Sequence, residues 1–107
     1  MRQSFSPGNW YDVPFGVMLP VRAEAANLLV SVAISATSVA YSSTRIEQMF
    51  VDTGAAAGVA AALALEAAGA PGAGACAGLG LAVQDTDVAA VQGVLLREYA
   101  QRIHGPP

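Results

Sequence analysis

Residues Tyr41 to Ala68 read YSSTRIEQMFVDTGAAAGVAAALALEAA, a polar stretch that runs into an Ala-rich one. Thr44-Arg45-Ile46-Glu47 has the form of a capping box, in which a Thr hydroxyl accepts from the backbone N–H three residues on and the Glu reaches back to the cap. This predicts a helix starting near Arg45. Ile46, Met49, Phe50, Thr53, Ala57, Ala60, Ala61 and Ala64 recur at three- and four-residue steps, the period of one buried helical stripe. Gly54 and Gly58 stand one turn apart on another side. Each costs a helix about 1 kcal/mol relative to Ala. The expected compensation is close approach of a backbone, a sheet or a flat ligand, so that Gly54→Leu is expected to cost about 1–3 kcal/mol by overpacking.

Around this segment the chain is short and apolar. Its 107 residues suffice for one small domain with one core. The hydrophobic share is 54% and the charged share 12%, about half of what a free-standing surface usually carries. That balance points to a membrane protein or to part of a larger fold whose other parts cover apolar faces. The net charge is -3 and lysine is absent, which argues against nucleic-acid binding. Cys76 is the single cysteine, so neither an intrachain disulfide nor a thiolate metal cluster is available. The amino terminus, MRQSFSPGNW, has no apolar core of a secretory signal, which makes the cytoplasm the default compartment. Gly54 and Gly58 form a GxxxG. Between Asp52 and Glu66, however, there are too few residues to cross a bilayer, which takes about 20, so no membrane span is expected.

Residues 1–9, with Pro7-Gly8, read as a flexible lead-in. Trp10 to Leu19 reads as an edge strand or extended segment because it contains Pro14. Asn27 to Ile34, NLLVSVAI, has the length and composition of a buried strand. Ser35 to Thr44 is dense in hydroxyls and reads as a loop. Gly69 to Gly80 is a low-complexity Gly/Ala segment, giving a linker over 69–82. In the tail, 83–107, Thr86 is a candidate cap and Val88, Val91, Leu95 and Tyr99 form an apolar stripe, so a helix is expected to end near His104.

Three motifs carry little chemistry. Gly72-Ala-Gly74-Ala-Cys-Ala77 matches GxGxxA, but a helix precedes it where a phosphate-binding turn needs a strand. His104 suits the negative end of a helix, and Cys76 has no basic neighbour in sequence to activate it. Arg45 and Glu47 differ, because they stand where free backbone N–H groups and the helix dipole favour an anionic or electron-rich group. The plainer alternative is a capping Glu beside a solvated Arg.

At these residues the sequence becomes recognisable. Tyr11-Asp-Val-Pro-Phe, Leu19-Pro20, Asn27-Leu-Leu-Val, Ile34-Ser-Ala-Thr, Ser43-Thr-Arg45-Ile-Glu47 and Gly54-Ala-Ala-Ala-Gly58-Val-Ala-Ala-Ala-Leu, in this order, resemble the carboxy-terminal portion of a family of FAD-dependent oxidoreductases. Ser38 and Gln48 depart from that pattern, where His and Pro are common. The resemblance implies an α/β fold, part of a Rossmann-like FAD-binding domain, with a short strand pair, a long Ala/Gly-rich helix and a carboxy-terminal helix. It places the last part of the FAD-binding domain at 10–68. It also implies that the start of the long helix faces the flavin, with Ser43, Thr44 and Arg45 near the cofactor and Glu47 organising the turn.

The Gly-rich strand-turn-helix that holds the FAD pyrophosphate in this family has no counterpart before Trp10. The expectation is therefore a fragment that needs the remainder of the flavoprotein fold or a partner chain. Alone it is expected to be inactive, and whether it takes part in an enzyme depends on that partner. The alternative reading is a small non-catalytic module that forms homodimers through the Gly54/Gly58 face.

Overall fold

The computed structural model describes residues 2–6, 9–69 and 82–99, with side chains from residue 11 onward. Two short strands open the chain, β1 (Arg2–Ser6) and β2 (Asn9–Asp12). They pair antiparallel with Gln3 opposite Tyr11 and Ser4 opposite Trp10, and the register shifts between Ser4 and Ser6. The stretch read from sequence as a lead-in thus supplies a strand. Its partner is shorter than the expected extended segment, because a 3-10 turn follows at Phe15–Met18, directly after Pro14. Pro14 has φ -64 and no N–H, which ends the ladder and starts the turn.

Asn27 to Ile34 forms no strand. A strand needs a neighbour, and this segment is tied instead to irregular backbone. The Val30 N–H donates to the Met18 carbonyl at 2.9 Å and the Ser35 N–H to the Val17 carbonyl at 2.8 Å. The hydroxyl-rich stretch after it, expected to be a loop, contains α1 (Ser38–Thr44). Thr37 caps α1 by accepting from the Ala40 N–H at 3.2 Å. The hydroxyls that made the stretch look irregular turn back onto their own helix. Ser42 donates to the Ser38 carbonyl at 2.8 Å, and Ser43 to the Ala40 carbonyl at 2.8 Å.

The long helix is α2 (Glu47–Ala67), and its N-cap is Ile46 with no side-chain cap. The expected Thr44 capping box is not formed, because Thr44 belongs to the last turn of α1. Met49, Thr53, Ala56, Val59 and Ala60 are buried. The stripe is therefore rotated from the one predicted, and Ile46 stays 44% exposed. The helix ends in Gly69 at φ 66, a left-handed conformation open to Gly without steric cost, and its N–H donates to the Glu66 carbonyl at 3.0 Å.

A Cβ added at Gly54 or Gly58 meets nothing within 4 Å. Among the described residues nothing approaches that face, so within them the overpacking expected of Gly54→Leu has no physical basis. By length and composition α2 is apolar enough to cross a membrane. It also carries core residues on one side, and Asp52 and Glu66 lie within it.

The tail contributes a 3-10 turn at Val83–Asp85 and α3 (Val88–Tyr99). Asp87 rather than Thr86 stands at the amino end, its carboxylate accepting from the Ala89 N–H at 2.9 Å. Val91 and Leu95 are buried while Val88 and Tyr99 are exposed, which narrows the predicted stripe. The expected helix end near His104, the GxGxxA match and Cys76 lie outside the described residues. One core joins the pieces: Met18, Ala56, Val59, Ala60, Val91 and Leu95, with Phe15, Leu29, Ile34 and Leu63 packed against it. The described residues are thus mostly helical with one short strand pair and no larger sheet, so the α/β expectation holds only in that coarse sense.

Candidate functional site

The junction between α1 and α2 is two residues long, Arg45 and Ile46. Arg45 closes α1, its N–H donating to the Tyr41 carbonyl at 2.9 Å, and its backbone at φ -80, ψ 33 breaks the helix. The Ile46 carbonyl then accepts from the Met49 and Phe50 N–H groups at 3.0 and 3.2 Å. No side chain caps α2, so the amino end of a 21-residue helix keeps its first N–H groups unclaimed by a cap, with the positive end of the dipole behind them.

The four residues singled out from sequence cluster here with different freedom. Arg45 and Glu47 are exposed. Ser43 is half-buried; its hydroxyl serves the Ala40 carbonyl and also pairs with the Tyr11 hydroxyl at 2.5 Å. Thr44 is 5% exposed, and its hydroxyl is spent on the Ala40 and Tyr41 carbonyls at 3.2 and 3.3 Å. Groups that can meet a ligand are thus the Arg45 guanidinium, the α2 N–H groups and the Ser43–Tyr11 hydroxyl pair. Local pattern had no means of finding Tyr11, which lies far from Ser43 in sequence.

Two more features border the site. Thr53, nearly two turns inside α2, is 2% exposed and donates to the Ser31 carbonyl at 2.7 Å, anchoring the Asn27–Ile34 segment on α2. Burial pushes the Asp52 carboxyl above its usual value, opposed by a hydrogen bond with Gln48.

A separate apolar cavity of about 130 Å³ lies between the Phe15–Met18 turn, α2 and α3, lined by Val13, Phe15, Met18, Ala56, Val91 and Leu95 among others. It includes none of the junction residues. It is also smaller than the roughly 300–1,000 Å³ of clefts that enclose drug-sized ligands. Among the described residues no group of three or more His, Cys, Asp or Glu side chains is placed to hold a metal ion.

Compared with known families, residues 2–95 match the profile of a family described as FAD dependent oxidoreductase. Neither curated proteins nor solved structures give a match.

Proposed function

The chain belongs to the FAD-dependent oxidoreductase family, and from that premise we propose that it supplies the loop-helix facing the flavin ring and is inactive until another polypeptide completes the fold. The uncapped amino end of α2 beside the exposed Arg45 carries this reading. FAD, when bound, supplies the redox chemistry, and its reduced ring gathers negative charge. The α2 N–H groups and the Arg45 guanidinium offer fixed positive potential of the kind that stabilises such charge. In this reading Ser43 presents a hydroxyl already oriented by Tyr11, Thr44 fixes the turn from within α1, and Glu47 organises the entry to α2. The donor set fits an electron-rich ring edge. The Glu47 carboxylate at the same end disfavours a free anion, which favours a ring over a phosphate.

The test is co-expression with the amino-terminal strand-turn-helix part of a complete family member. The chain alone should be colourless, and the complex should show a flavin spectrum at one FAD per complex. Arg45→Ala should weaken FAD retention by about tenfold or more, the loss of a charge-assisted contact. A yellow chain on its own would overturn the claim of inactivity, and a colourless complex would overturn the flavin role.

The open Gly54/Gly58 face favours a second reading, a non-catalytic module whose copies dimerise through that face of α2. A colourless, well-folded dimer that Gly58→Leu dissociates would select it.

A further inference from the structure

We draw no further inference here: the strongest candidate, the apolar cavity between the Phe15–Met18 turn, α2 and α3, carries nothing because nothing in the structure shows what covers or fills it.

Discussion

Thr53 is a single hydroxyl on which two elements depend. It is 2% exposed and donates both to the Met49 carbonyl of its own helix at 2.8 Å and to the Ser31 carbonyl at 2.7 Å. Removing one partner of such a bond leaves the other unsatisfied at a cost of about 1–3 kcal/mol. Thr53→Val should therefore lower the unfolding free energy from urea titration by that amount, whereas Thr53→Ser, which keeps the oxygen, should lose less. Two aspartates give pH dependences of opposite sign. The Arg22 hydrogen bond holds Asp85 below its ordinary value, against desolvation and with added Coulombic attraction. Its contribution is present above the unfolded carboxylate value of about 3.9 and is lost as pH falls through the lower folded value. The pair is exposed, at 56% and 65% of side-chain surface, so the effect is small and falls with salt. Asp52 is raised, first by burial. Its charged form weakens the fold above the raised value, and stability recovers as pH falls through it. Asp52→Asn should raise the melting temperature at neutral pH and remove that recovery, while Asp85→Asn should remove the acid loss. Melting curves against pH separate the two.

At the scale of elements, α2 shows what local pattern can and cannot carry. Its existence, length and Ala-rich composition were legible because Ala and Leu dominate any helix propensity sum. Its start was not. The same Thr that fits a capping box also fits the last turn of a preceding helix, and the hydroxyls of Ser38 to Thr44 satisfy themselves by back-bonding to carbonyls within α1. A segment that looks like a loop because it is polar can thus be a helix that spends its polar groups internally. The strand expected at Asn27–Ile34 failed for a different reason. Strands are defined by partners, and the described residues offer this segment the Met18 carbonyl of a 3-10 turn and the hydroxyls of Thr53 and Tyr41 rather than another strand. Ser43, Thr44, Arg45 and Glu47 fall at the junction because they are neighbours in sequence, whereas the contact of Ser43 with Tyr11 arises from tertiary packing alone. At the two glycines of α2 the described residues leave open the face where close approach was expected. Since an added Cβ meets nothing within 4 Å at either position, the remaining effect is helix propensity. Gly54→Ala and Gly58→Ala should each stabilise the isolated chain by about 0.5–1 kcal/mol in thermal or urea unfolding. A loss of stability instead would show that the face is covered in solution.

Among the described residues several large apolar side chains stay in water: Val21, Val39 and Val51 are each more than 60% exposed. What holds the molecule together is a small core contributed by the Phe15–Met18 turn, α2 and α3. The tail is also fastened to the segment around Pro20 to Ala26: Gln84 donates to the Pro20 and Ala25 carbonyls at 3.2 and 2.9 Å, Val83 to the Ala26 carbonyl at 2.8 Å, and Arg22 pairs with Asp85. With so few buried side chains, each carries a large share of the marginal stability that folding leaves. Leu95 and Val91, each 2% exposed, are the buried contributions of α3. Leu95→Ala removes buried methyl groups and leaves a hole beside the existing cavity, at a cost of about 2–5 kcal/mol. In a core this small that loss should release α3 from α2, seen as fallen helical circular dichroism at room temperature and a broadened melt. Its neighbour Leu96, 57% exposed, provides the control, since Leu96→Ala should leave both signals unchanged. Equal tolerance of the two substitutions would mean that α3 is held by the hydrogen bonds of the Val83–Asp85 turn rather than by its apolar face.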